Sequence, residues 1–533
     1  MVATSAQSNT IVGISARIFK YLPELLTAAA LCVFSVLLAS GWAWTNDGWF
    51  LLAIGEHVLQ HGPAHDAWFS PFGGSTVEQQ WLYTAVFALL YRAFGCIGPC
   101  CLAAIFFLVS YVLAALLVRR MTTQRPSPIR LALFLAACVL LSEGGGGVMG
   151  IRPSSASVVF WLISAHLGLS ASRSNSSQYL YAVLFGALVA FHVNIHASMI
   201  FFDFIVFTAF FLNESLPAHG LWQSCRLLIV YLIAGVVGSL LNPYGWKGAL
   251  YLPLSIISAK SIAVGTEMGS LLSKPLDVAI PFALICVFSF GISILWLWQE
   301  RRFQATPILL ILSAAMALIA VRCLNILALF LVLTSLLCPT LAFFKKNTLK
   351  QRRLLSLASG TLSILAGWFP AIFIVICLIW TAGDGFHFSA GAQLNTPATA
   401  VDSRAAIAEA GAQPGDSVLT DPLTAGALEY TGYRVAYDAR PELYSPIFTG
   451  LDIDWNAEWC SFCYEGIDAT NYIVHCNCDW IVLRTSSINM SFDKFQEAAD
   501  KAGYRLLGVY DDTNGLYAGC AVFAKEAGAS NVQ

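Results

Sequence analysis

Apolar runs recur along the first 382 residues: 22–44, 80–96, 100–118, 131–146, 153–171, 178–193, 195–213, 226–242, 277–298, 305–321, 324–344 and 354–381. Each approaches the roughly 20 apolar residues that cross a hydrocarbon core. In lipid no water pairs with backbone N–H and C=O groups, so such runs must be helices bonded internally. A single soluble globule, a disordered chain and a coiled coil are excluded. Charged residues are only 11% of the chain, with mean hydropathy +0.69; soluble domains carry about 25%. Net charge is −2 with no dominant basic cluster, which argues against nucleic acid as a partner.

Two parts follow from the pattern: a polytopic membrane domain over 1–382 and a small α/β domain over 383–533. The expected fold class is mainly α, a transmembrane bundle of about 11–13 helices followed by that α/β domain. Arg17 and Lys20 precede the first run with no small-residue cleavage site, so no cleavable signal is expected. Basic loops set the orientation. Lys345, Lys346, Lys350, Arg352 and Arg353 belong inside, with Arg301, Arg302, Arg119, Arg120, Arg125 and Arg130. The segment 45–79 has no Lys or Arg and belongs outside, as does the C-terminal domain. An inside N-terminus and an outside C-terminus need an odd number of crossings. The stretch 80–118 is therefore expected to cross once in net, broken at Gly95–Cys101.

The first outer loop, 45–80, opens with Asp47 ahead of a short amphipathic helix. Trp49, Phe50, Ala53, Ile54 and Val58 share a stripe, with Glu56 and Gln60 elsewhere, as for a helix on the membrane surface. Gly62–Pro63 ends it, and His65, Asp66, Glu78 and Gln80 follow in loop. Asp47 can cap the helix or act as a general base at the membrane boundary; the two roles are compatible. His61 and His65 with Asp66 are candidate metal ligands, against a plain solvated loop.

Several short motifs resemble one family. They are Asn46–Asp47, the HVLQHG helix end, Gln80–Trp81–Leu82, Asn194–Ile195–His196, Asn242–Pro243–Tyr244–Gly245, Glu267, Arg322 and Asp438–Ala439–Arg440 with Glu442 and Tyr444. Together they resemble the GT-C superfamily of integral-membrane glycosyltransferases, whose donors are polyprenyl-phosphate sugars, and within it a bacterial branch of GT-C-like membrane proteins. The resemblance implies a GT-C-type module, an outer-face active site and a first-loop aspartate as base, the position of Asp47. It departs in three ways. Met268 and Ala439 stand where that branch has Trp and Gly, no Asp–Glu pair is present, and no acidic residue closely follows Arg152.

Polar residues inside apolar runs are functional candidates because charge is costly there. Arg152 follows a glycine run and could hold an anionic headgroup or serve as an interfacial turn. His192, Asn194 and His196 interrupt an apolar hairpin, for interhelical hydrogen bonds or for a site. Arg322 suits a lipid phosphate or snorkelling. Asp203 has no evident partner. The outer loop 242–277 carries Lys247, Lys260 and Lys274, which point to an anionic ligand or to interfacial anchoring.

In the C-terminal domain the pattern predicts helices over 401–411 and 491–503, and strands over 417–420, 433–438, 480–484, 504–510 and 516–523. Asp438 and Arg440 form an ion pair or bind acceptor sugar. Cys460, Cys463, Cys476 and Cys478 read first as two disulfides in an oxidising compartment, and secondly as a zinc site. No phosphate-binding loop is present, so no nucleotide cofactor is expected; a divalent metal ion stays open.

The function expected is glycosyl transfer at the outer face of the plasma membrane, from a polyprenyl-phosphate sugar to a glycan or protein acceptor. Asp47 is the base. His65, Asp66, Gln80, Arg152, His196, Glu267 and Arg322 are candidates for substrate and phosphate binding. The alternatives are a lipid-linked sugar transporter or flippase, and a non-catalytic assembly protein of cell-envelope glycan synthesis.

Overall fold

The computed structural model describes residues 46–95, 97–122, 151–174, 177–258, 303–319, 405–465, 469–484, 490–510 and 520–526, with scattered positions in 21–33 and 280–330. Within them the chain is mainly helical with a small C-terminal α/β unit, as the apolar runs lead one to expect. Four helices are long and apolar enough to cross a membrane, and this is a membrane protein.

Helix α1 (Asn46–His61) is followed by α2 (Trp81–Phe94), α3 (Ile97–Thr122), α4 (Ser154–Arg173), α5 (Gln178–His196) and α6 (Phe201–Ser239). Then come α7 (Tyr251–Ser258) and α8 (Ala305–Ile319). The run 80–118 is indeed broken, at Gly95, into a short helix and one of membrane length. The expected helices at 195–213 and 226–242 are limbs of α6, bent at Gly220, whose φ of 74° an L side chain rarely adopts. The limbs fold back on each other: Tyr231 lies against both Phe207 and Phe211, at 5.2 and 5.3 Å between ring centroids.

Helix α1 carries the predicted stripe, but protein covers it. Trp49, Phe50, Ala53, Ile54 and Val58 are buried, and so are Leu51 and Leu52. The amphipathic reading found one apolar face; α2 and a C-terminal helix cover the helix on more than that face. Glu56 stays on the rim in a hydrogen-bonded pair with Arg92.

The C-terminal unit is a five-stranded sheet in the order β2-β1-β3-β5-β4. β1 (Ser417–Thr420) lies between β2 (Arg434–Val435) and the central β3 (Trp480–Arg484), both parallel to it. β4 (Tyr504–Tyr510) and β5 (Cys520–Lys525) form the antiparallel side. Helices α9 (Pro422–Tyr430), α10 (Trp455–Cys460), α11 (Ala469–Cys476) and α12 (Phe492–Lys501) flank it. The strand expected over 433–438 is only two residues long; on its outer edge Val435 N–H donates to the Phe69 carbonyl at 2.7 Å. The last strand starts at Cys520, and 511–519 lie outside the described residues.

First loop and C-terminal unit share one core. Phe69, Val77, Tyr251, Tyr444 and Phe448 belong to the same buried cluster. Phe72 stacks on Trp455 at 3.6 Å, and Ser75 N–H donates to the Thr449 carbonyl at 2.8 Å. Gly74 (φ 91°) permits that approach, since a Cβ there would sit 2.8 Å from the Thr449 oxygen.

Candidate active site

Near its end the first loop runs Thr76, Val77 and Glu78, all buried. Val77 enters the apolar core, and Glu78 is 2% exposed in the junction with the C-terminal unit. There Arg440 Nη1 donates to Glu78 Oε1 at 3.4 Å and Nη2 to Glu429 Oε2 at 2.9 Å. Arg440 Nε donates to Asp438 Oδ2 at 2.9 Å, and Nη2 shares that oxygen. The Arg440 backbone N–H donates to Asp438 Oδ1 at 2.6 Å, which closes a tight turn. The guanidinium lies 4.1 Å from the Phe69 ring centroid and 5.5 Å from that of Phe50, both favourable faces for a cation.

One guanidinium faces three carboxylates here. Burial pushes the Glu78 carboxyl up to about 7; Arg440 opposes the shift, while Asp438 and Glu442 add to it. Burial likewise raises Glu429 well above the carboxylate range against the pull of Arg440, with Asp438 and Glu78 adding to it. Burial disfavours charge on Arg440, but Asp438, Glu429 and Glu78 outweigh it and hold the guanidinium charged. The second oxygen of Glu429, Oε1, is buried with no hydrogen-bond partner among the described residues. From the 242–258 segment, Tyr251 donates its hydroxyl to Glu442 Oε1 at 2.9 Å. Tyr244 faces Glu78, and burial followed by that charge raises its phenol.

Below this junction, the ends of α2, α4, α5 and α6 are tied by polar contacts. Trp81 Nε1 donates to Asn194 Oδ1 at 2.8 Å, and Asn194 Nδ2 donates to the Leu241 carbonyl at 2.9 Å. The Ala197 N–H donates to the Gln79 carbonyl at 2.8 Å. His196 Nδ1 lies 2.8 Å from Ser157 Oγ, and His192 Nε2 lies 3.0 Å from the same oxygen. His192 Nδ1 lies 2.5 Å from Asp203 Oδ2, while Ser164 donates to Oδ1 at 3.0 Å. Asp203, without an evident partner in the sequence, thus has two.

Of the residues expected at a site, Asp438 and Arg440 are in the junction. Gln80 and His196 are buried next to it, through Glu78–Gln79 and the Ala197 bond, and Arg152 immediately precedes α4. His65 and Asp66 are exposed at its edge, with His65 against Tyr244 at 5.4 Å. Asp47 is in the first turn of α1; its side chain, Glu267 and Arg322 lie outside the described residues. Lys260 and Lys274 do too. Glu429, Tyr251 and Ser157 were missed. A single carboxylate in the apolar stretch of α9 was the available signal for Glu429; nothing local marks Ser157.

The cysteine reading needs correction. None of Cys460, Cys463, Cys476 and Cys478 is in a disulfide. All four are buried, and Cys463, Cys476 and Cys478 belong to the aromatic core around α10 and α11, where they behave as small apolar side chains. Cys460 Sγ lies 3.8 Å from Asn456 Oδ1, one turn back on its own helix, and Cys478 Sγ lies 3.7 Å from the Cys476 carbonyl. Among the described residues no three of His, Cys, Asp and Glu gather so as to hold a metal ion, the four thiols and the His61, His65, Asp66 trio included.

Among solved structures, ArnT from Cupriavidus metallidurans, bound to undecaprenyl phosphate, aligns over 96% of this chain and 99% of its own at 13% identity, with a TM-score of 0.48. The Archaeoglobus fulgidus oligosaccharyltransferase in its apo form aligns over 96% of this chain and 75% of its own, also at 13% identity, with a TM-score of 0.47. No protein-family model and no curated protein sequence matches the chain.

Proposed function

We propose that this protein is a membrane glycosyltransferase that moves a sugar from a polyprenyl-phosphate donor to an acceptor at the outer face of the membrane. It crosses the plasma membrane several times, and its C-terminal unit is extracytoplasmic. The observation that carries this reading is the closed acidic junction at one end of an apolar helical bundle, with the start of α1 beside it. Phe50, one helical turn on from Asp47, has its ring 5.5 Å from the Arg440 guanidinium. A donor with a long apolar tail and a sugar-phosphate head needs both environments together: apolar helix surface for the tail and buried hydrogen-bonding groups for the head.

In this reading Asp47 takes the proton of an acceptor hydroxyl, and the hydroxyl attacks the anomeric carbon. The bond to the lipid phosphate breaks with inversion. Arg152 and Arg322 neutralise the departing phosphate. Arg440 already serves three carboxylates, so its role is to position the Glu78 segment and the start of α1 rather than to bind phosphate.

The test is a transfer assay in nanodiscs with a panel of polyprenyl-phosphate sugars, read by mass spectrometry for released lipid phosphate. Release by wild type and none by a folded Asp47→Asn variant is the expected result. Full activity in Asp47→Asn removes that residue from the mechanism. Labelled substrate moved across liposomes unchanged would replace transfer with transport. Neither release nor transport leaves a non-catalytic assembly role.

A further inference from the structure

The polar chain at the ends of α4, α5 and α6 has a property that hydrogen-bond satisfaction alone does not require. Its members are Ser164, Asp203, His192, Ser157 and His196, each at most 2% exposed. With Asp203 ionised, both of its oxygens accept, one from Ser164 and one from His192 Nδ1. A neutral His192 then has a bare Nε2, which must accept from the Ser157 hydroxyl. Ser157 Oγ in turn accepts from His196 Nδ1. The four contacts along the chain are satisfied, and every donor points toward Asp203.

A second assignment is equally complete. Place one more proton on His192. Both its nitrogens donate, to Asp203 and to Ser157. The Ser157 hydroxyl turns and donates to His196 Nδ1, which leaves the His196 proton on Nε2. The two assignments differ by one proton and by the direction of the chain. Interconverting them needs one proton delivered to His196 Nε2 and transfers across contacts of 2.8 and 3.0 Å.

We propose that His196, Ser157, His192 and Asp203 form a proton wire, entered at His196 and ending in a His192 imidazolium–Asp203 carboxylate pair. In the forward step a proton arrives on His196 Nε2. The Nδ1 proton moves to Ser157 Oγ, and the Ser157 proton moves to His192 Nε2. His196 gains a proton at Nε2 and loses one at Nδ1, Ser157 Oγ gains one and loses one, and His192 keeps the net proton beside Asp203. Asp203 contacts His192 directly, and His196 reaches it through Ser157. The His192 ring face stacks on Phe160 at 4.3 Å, so water is kept from that side. Ser157 Oγ is also 3.4 Å from the Pro153 carbonyl, a longer contact that competes for the same hydroxyl proton. The entry is next to the junction, since the residue after His196 bonds to Gln79, the neighbour of Glu78. Glycosyl transfer to a hydroxyl releases one proton, taken first by Asp47, and the wire gives it a further destination within the protein. That use rests on the glycosyltransferase reading; the wire itself does not.

The experiment is nitrogen-15 NMR of the full chain in nanodiscs, labelled at histidine and titrated between roughly pH 5 and 9. Signals are assigned with His192→Gln and His196→Gln. The expected result is that His192 becomes doubly protonated at the same midpoint at which neutral His196 shifts its proton from Nδ1 to Nε2. In Ser157→Ala the two events separate by about one pH unit or more, and Ser157→Thr, which keeps the hydroxyl, restores them. Asp203→Asn, a second variant that leaves the serine in place, abolishes charging of His192 over this range. An unchanged His196 tautomer while His192 charges, or separate midpoints in wild type, overturns the proposal. This readout needs no transfer, so a failed wire and a failed glycosyltransferase reading give different results.

Discussion

Arg440 Nη1 and Glu78 Oε1 meet at 3.4 Å although 362 residues separate them in the chain. This contact, with Glu429 and Asp438 on the same guanidinium, joins the first loop to the C-terminal unit. Removing one partner of a buried ion pair leaves the others uncompensated and costs about 3–5 kcal/mol. Arg440→Met should therefore lower the thermal midpoint sharply, measured by tryptophan fluorescence in nanodiscs. Arg440→Lys should recover only part of the loss, because an ammonium cannot supply the planar fork that reaches three carboxylates. Equal stability of wild type and Arg440→Met would show that the cluster contributes nothing net.

The four clustered cysteines should be present as buried thiols. Burial, the first cause, pushes the Cys478 thiol up to about 12 and raises Cys463 and Cys476 as well. A protonated, inaccessible thiol is a poor nucleophile. In native protein a maleimide should leave Cys460, Cys463, Cys476 and Cys478 unmodified, and in denaturant all four should react without prior reduction. Mass spectrometry of the peptides distinguishes this from disulfides, which would need a reductant first.

Gly55 sets the separation of α1 and α2. A Cβ at that position would lie 2.1 Å from the Thr84 carbonyl oxygen and 2.7 Å from Ala88 Cβ. The backbone carbonyl cannot swing aside, so the helices must part. Gly55→Ala should destabilise by about 1–3 kcal/mol, read as a lower thermal midpoint. The displaced α1 also carries Asp47, so transfer activity should fall with stability.

Apolar length marked the helices well, because crossing a bilayer demands a run that few other structures need. It said less about where polar residues meet. Asp438 and Arg440 were visible as a pair two residues apart, but Glu78 and Glu429 joined them only through tertiary contact. Asp203 and Ser157 are on different helices, so no local spacing connects them. The strand at 433–438 is only Arg434–Val435, because alternation marks an extended segment but not where its pairing with β1 stops. The disulfide reading followed compartment and spacing, and the aromatic packing around those thiols is invisible to both.

The carboxyl of Glu78 gives the junction a pH dependence with a definite sign. Its folded value is raised from 4.5 to about 7, chiefly by burial. Below 4.5 both folded and unfolded chains hold the proton, and the group has no effect on stability. Between 4.5 and about 7 the unfolded chain releases the proton while the folded chain keeps it, so stability falls as pH rises. Above about 7 both forms are ionised, and the full penalty of roughly 3 kcal/mol is in place. Glu429, raised by the same cause, acts in the same direction. The thermal midpoint should therefore drop across this window. Glu78→Gln, which keeps the shape and stays neutral, should flatten the profile and be more stable than wild type near pH 8. A midpoint that rises with pH through the window, or a Glu78→Gln profile that tracks wild type, would mean that Arg440 holds Glu78 ionised throughout.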